Sequence, residues 1–215
     1  MINQRAHRRL TILSLLLALT WLLIPSQARA WESDEIPSFE QFVAQVANGE
    51  ADELRGVYVP GIMAHAIVSQ PEEQPAFVSS QSHVLTQYGA ASRYDTIALL
   101  AHNYLAGGDF FLLEEGRIFY LIYGDGRIET YRVAKFMRFQ ALTPKSTTSD
   151  FVDLETGERL SSTRLFLKVF NRPGDVVLQT CIYANGDASW GRLFIIAEPY
   201  DERAPISMPR LLEFQ

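Results

Sequence analysis

The chain carries a single cysteine, Cys181, among its 215 residues. No internal disulfide is possible, so stability must come from the core alone. A permanent membrane span needs about 20 apolar residues, and the mostly apolar run Leu10–Ile24 has only 15. Positive charge is not in excess: 19 basic residues face 25 acidic ones, a formal net charge of −6. That balance argues against nucleic acid and against anionic membranes as partners. The sequence has no internal repeat, no low-complexity tract and no linker that would divide it into two cores. The spacings of its histidines and lone cysteine match no metal signature, so neither a metal nor a cofactor is expected.

The N-terminus has the features of an export signal. Arg5, Arg8 and Arg9 form a basic region ahead of the apolar run, Pro25 breaks that run, and Ala28-Arg29-Ala30 supplies a small-x-small cleavage pattern. Cleavage after Ala30 would leave Trp31–Gln215, a chain of 185 residues. Removing the four arginines of the signal leaves 15 basic against 25 acidic residues, a formal charge of −10 that fits a solvated extracytoplasmic protein. An uncleaved signal would instead tether the chain to the membrane. Residues 31–55 read as an N-terminal helical segment and residues 56–215 as one domain, large enough to bury a sizeable core.

Phe39, Phe42, Val43 and Val46 lie on one helical face, with Ser38 as N-cap, Gln41 as its capping-box partner and Asn48-Gly49 as the stop. Downstream, short β-rich runs alternate with turn residues. Val57–Val59, His65–Ser69, Thr96–Ala101, Arg117–Tyr123, Arg127–Val133, Phe136–Leu142, Leu165–Phe170, Val176–Ile182 and Arg192–Ala197 read as strands. Ser82–Tyr88 reads as one or two helical turns. Gly124-Asp125-Gly126 connects a hairpin, and Asn185-Gly186-Asp187 and Asn171-Arg172-Pro173-Gly174 are turns. The tail from Glu198, with three prolines, is expected to wrap the edge of the domain. Many short, evenly spaced strands with few helices predict a mainly all-β fold, a closed barrel or sandwich.

An odd cysteine in an exported chain points to an intermolecular disulfide or a free reactive thiol. Cys181 closes the apolar run from Val176, His102 follows the run ending at Ala101, and Arg192 opens the run after the cysteine. A thiol, an imidazole and a guanidinium at strand edges make a candidate acyl-transfer site. The thiolate is the nucleophile, a nearby imidazole can take and return the proton, and a fixed guanidinium can stabilise an oxyanion. His65 and His83 lack a partner motif and read as structural or surface residues. Asp150, Asp153, Glu155 and Glu158 make an oxygen-rich stretch of the kind that suits calcium. Their spacing is not a defined calcium loop, so a solvated acidic face is expected.

These residues resemble the sortase family. Val177-Leu178-Gln179-Thr180-Cys181 is similar to the family's strand ending in Thr-Leu-x-Thr-Cys, and Ala101-His102-Asn103 to its Gly-His-Asn. Tyr131-Arg132-Val133 fits its hairpin signature, and Arg192 stands where the family's arginine opens the next strand. Ala101 replaces the common glycine and Val177 the usual threonine; neither change removes a reacting group. The resemblance spans about Val57 to Pro199. It implies a single closed β-barrel of about eight strands and a cysteine transpeptidase with Cys181 as nucleophile, His102 as acid/base and Arg192 as oxyanion or positioning group. It also implies two partners: an exported protein or peptide with a short sorting motif, and an amine acceptor on the cell surface. Thr180, Asn103, Tyr183 and Trp190 are expected to line the substrate groove. Two other readings stay open: an exported thiol peptidase that releases product to water, and a non-enzymatic binding module on the same barrel.

Overall fold

The computed structural model describes residues 36–201. The signal segment, its cleavage site and most of the proline-rich tail lie outside the described residues. Of the tail, Glu198 and Pro199 finish a strand, and the Tyr200 amide donates to the Thr130 carbonyl at 2.9 Å. Among the described residues no helix is long and apolar enough to cross a membrane.

The helix α1 (Phe39–Val46) forms as its sequence predicts. The Ser38 side chain accepts from the Gln41 amide, and the Gln41 side chain caps the Ser38 amide in return. Its apolar face seats Phe42 and Val46 against Tyr58 and Ile122.

Ten strands follow: β1 (Leu54–Val59), β2 (Met63–Ser69), β3 (Val84–Gln87), β4 (Ile97–Leu100), β5 (Ile118–Tyr123), β6 (Ile128–Ala141), β7 (Phe151–Asp153), β8 (Arg159–Leu160), β9 (Val176–Ala184) and β10 (Asp187–Pro199). The order β10-β9-β4-β3-β2-β1-β5-β6 closes on itself through a β10–β6 pairing, and β7 and β8 extend outward from β6. Eight strands therefore form the closed barrel that the strand count predicts. Closure removes the free edges that an exposed sheet would offer to other chains.

Three segments differ from the sequence reading. Ser82–Tyr88 contains the strand β3 rather than helical turns. Four residues carry little periodic signal, and two long-range partners, parallel β2 and antiparallel β4, hold them extended. Arg127–Val133 and Phe136–Leu142 are not separate strands but one 14-residue strand, β6, which crosses the barrel with a register shift opposite Ile196/Ala197. Leu165–Phe170 is not a strand but most of the helix α2 (Ser162–Phe170). Ser161 caps it by accepting from the Arg164 amide, and Leu165 and Val169 share its buried face, four residues apart.

Helix α2 explains why the strands beneath it read as continuous apolar runs. One face of β4, β9 and β10 sends Leu99, Leu178, Leu193 and Ile195 into the barrel. The other face sends Ala98, Val177, Phe194 and Ile196 outward into a second core with Leu165, Val169 and Phe170 of α2. Strands buried on both faces lose their alternation. The acidic stretch belongs to the same layer. Asp153 binds Lys168 at 3.0 Å, Asp150 binds Arg159 at 2.7 Å, and Glu158 meets Arg164 and Lys168 at 3.4 Å. Burial pushes the Asp153 carboxyl up, but the Glu155 and Thr156 amides and the Lys168 ammonium outweigh it and hold that carboxyl below its usual range. The stretch is thus an ion-pair frame that fastens α2 to the β7–β8 extension.

Candidate active site

The register of β9 and β10 pairs two of the three predicted reacting residues, and the loop after β4 carries the third beside β9. In the antiparallel β9–β10 ladder, Arg192 is the direct partner of Cys181. In the parallel β4–β9 ladder, Leu100 lies opposite Gln179. The Ala101 amide then donates to the Gln179 carbonyl at 3.1 Å, which carries the pairing past the end of β4. That ladder pairs residues 79 apart, the same separation as His102 and Cys181. Alternation places Cys181 and Arg192 on the outward face with Gln179 and Phe194. Cys181 and Arg192 therefore lie side by side on the outer wall of the barrel, and His102 stands in the loop that leaves β4 beside β9. Cys181 is a free, half-buried thiol there.

Thr180, expected to touch substrate, has a different place. It neighbours Cys181 and so faces the opposite side of β9. It is 2% exposed, and its hydroxyl donates to the Ala101 carbonyl at 2.9 Å. Its role is to fasten the loop that carries His102 to the strand that carries the thiol. Asn103 also braces that loop, because its side-chain amide donates to the Ala188 carbonyl of the β9–β10 hairpin at 3.0 Å. The hairpin turns through Asn185 and Gly186, both with positive φ (53° and 80°), as a two-residue Asn-Gly turn requires. Tyr183 on this hairpin is 65% exposed on the Cys181 side of β9, and Trp190 is half-buried on β10. Both residues flank the site.

The His102 loop turns directly into the 3₁₀ helix Ala106–Leu112, whose start packs against it. The Leu105 and Gly107 amides both donate to the His102 carbonyl at 3.0 Å. A Cβ on Gly107 would run into Thr180 Oγ1 and sit 2.8 Å from the His102 carbonyl oxygen and 2.9 Å from that of Ala101. Two of these neighbours are backbone and cannot swing away. Gly107→Ala is therefore expected to cost about 1–3 kcal/mol of stability and to displace the His102 loop. Urea unfolding of the full chain measures it, and an unchanged midpoint would contradict this packing. Further along, Asp109 of the same 3₁₀ helix lies 2.9 Å from Nε2 of His65 on β2. His65 is 1% exposed and its ring lies 5.4 Å from that of His83. This pair ties the helix to the barrel wall opposite β9.

Arg192 is fixed by backbone rather than by an acid. One terminal nitrogen donates to the Ser189 and Gly191 carbonyls at 2.8 and 2.9 Å, and the other to the Pro144 carbonyl at 3.2 Å. None of the ion pairs among the described residues includes it. Its charge is therefore held in place without a carboxylate to neutralise it. Beside it opens a groove of about 590 Å³, running from Arg192 and Gln179 to aromatic walls at Tyr88, Phe166 and Phe170. Gln179 is the outward-facing residue next to Cys181 on β9, about 7 Å away by strand rise.

Two aromatic walls of this groove, Phe166 and Phe170, lie on α2, whose apolar sequence reads equally as a strand, so the groove is not visible from the sequence. The periodic pair Leu165/Val169, with Ser161 ahead of it, was the available signal.

No protein-family model matches the chain, and no curated protein matches it. Among solved structures, the chain is similar to sortase C1 from Streptococcus suis, with 15% identity over 70% of this chain and 74% of that one, at a TM-score of 0.47. It is similar to a lid mutant of sortase A from Corynebacterium diphtheriae, with 14% identity over 81% of this chain and 84% of that one, at a TM-score of 0.45. It is also similar to Clostridium perfringens sortase C solved with the C-terminal cell wall sorting motif, with 17% identity over 75% of this chain and 83% of that one, at a TM-score of 0.41.

Proposed function

We propose that the protein is an exported, sortase-like cysteine transpeptidase acting outside the cytoplasm. The observation that supports this reading is the direct pairing of Cys181 with Arg192 beside a largely apolar groove, with the His102 loop fastened to the same strand through Ala101. Cys181 gives its proton to His102, and its sulfur attacks the carbonyl carbon of a peptide bond in a short sorting motif. The oxyanion that forms faces the Arg192 guanidinium. The C–N bond then breaks, His102 returns the proton to the leaving amine, and the acyl group stays on sulfur as a thioester. An amine acceptor on the cell surface attacks that thioester, and the thiol is regenerated. Water in place of the amine would make the same site a peptidase.

The test is to incubate the full chain with a library of C-terminal peptides from exported proteins, with and without an added amine, and to follow mass. The expected result is an acyl adduct on Cys181 that converts to an amine-ligated peptide. Hydrolysed peptide alone, with amine present, would replace the transpeptidase by a peptidase. No adduct with any peptide, on a thiol that still reacts with a small alkylating agent, would favour the binding-module reading.

A further inference from the structure

In a nucleophile–base pair the base is normally oriented by a third group that hydrogen-bonds its far nitrogen. His102 has no such partner: none of the hydrogen bonds or ion pairs among the described residues involves its ring. Its ring contact is with Tyr104, two residues on. The centroids lie 5.1 Å apart and the planes 16° from parallel, an offset stack. Tyr104 is 70% exposed, so packing of the core does not account for its position. The backbone on either side is fixed independently, by the His102 carbonyl accepting from Leu105 and Gly107 and by the Asn103 bond to Ala188. Those bonds hold the loop but leave the imidazole free to rotate about its own side-chain bonds.

We infer that Tyr104 is the positioning residue for His102, with an aromatic face taking the place of the hydrogen-bonding third member. The inference rests on the acyl-transfer reading for the base role of His102, but not for the stack itself. The aromatic face selects a ring plane without competing for either nitrogen. Both nitrogens remain available, one to take the thiol proton and the other to meet water. The phenol hydroxyl is not needed for this, so the ring alone should carry the effect.

The test compares wild type with Tyr104→Phe and Tyr104→Leu in the full chain, using two readouts that need no peptide. The first is the NMR signals of the His102 ring protons, which a stacked tyrosine shifts upfield. The second is the rate at which iodoacetamide alkylates Cys181 at neutral pH. In that reaction an S–C bond forms, iodide leaves and the thiol proton passes to His102. His102→Ala sets the unassisted rate. Tyr104→Leu is expected to lose the upfield shift and to alkylate about two- to tenfold more slowly, whereas Tyr104→Phe keeps both properties. Exposure of the side chain means that all three proteins should melt alike. Wild-type shifts and rate in Tyr104→Leu would overturn the inference, as would a Tyr104→Phe variant that fails with the leucine one. A wild type that ligates no peptide, but whose alkylation falls in Tyr104→Leu, would sink the transpeptidase reading and leave the stack standing.

Discussion

Replacing Cys181 by alanine is expected to lower the rate of peptide cleavage on the order of 10⁴- to 10⁶-fold, the scale seen when a covalent nucleophile is removed, while the fold survives. The second half of that expectation comes from the position of the thiol. Cys181 is half-buried on the outward face of β9, and the barrel core beneath it is formed by Leu178, Leu193 and Ile195 instead. Removing one sulfur from a partly wet site leaves no large cavity. Serine is the more searching substitution. It keeps a nucleophilic atom but, without the ready ionisation of a thiol, should react almost as slowly as alanine. Single-turnover mass spectrometry on wild type, Cys181→Ala and Cys181→Ser separates the outcomes. Cleavage that continues in the alanine variant would remove sulfur from the reaction and with it the assignment of this face as an active site.

The candidate trio was legible in the sequence because each member stands at the edge of an apolar run, although β9 and β10 extend past Cys181 and Arg192 and only His102 lies where a strand meets a loop. The pairing that brings the His102 loop beside β9 was not legible. It depends on a 79-residue offset between parallel strands, and nothing local encodes that number. The orientation of Thr180 could have been read, since a neighbour of an outward-facing cysteine on a strand must point inward. The segment Leu165–Phe170 shows the opposite problem. Six residues with one charge among them satisfy a buried strand and a buried helix equally, and only the Ser161 cap and the packing over β9 and β10 decide between them. Strand β3 fails for a related reason, because it is too short to carry a period and exists through pairing with β2 and β4.

Arg192→Ala should lower kcat about 10²- to 10³-fold, the usual cost of losing one oxyanion donor. The guanidinium also joins β10 to the segment around Pro144 through the carbonyls of Ser189, Gly191 and Pro144, so two causes must be told apart. A purely structural loss would free the segment around Pro144, loosen the groove and raise KM together with a fall in melting temperature. Loss of transition-state stabilisation would lower kcat with KM little changed. Arg192→Lys discriminates further. An ammonium restores the charge but not the planar fork that reaches three carbonyls at once. If charge at the oxyanion dominates, lysine should recover a substantial part of kcat while melting as low as the alanine variant. If geometry dominates, lysine should be nearly as slow as alanine, because a point charge on a mobile stem is not held at the level of Cys181. Wild-type kcat in Arg192→Ala would show that the partner of Cys181 on β10 acts only as a staple, and the oxyanion would then have to be met by some other donor on this face.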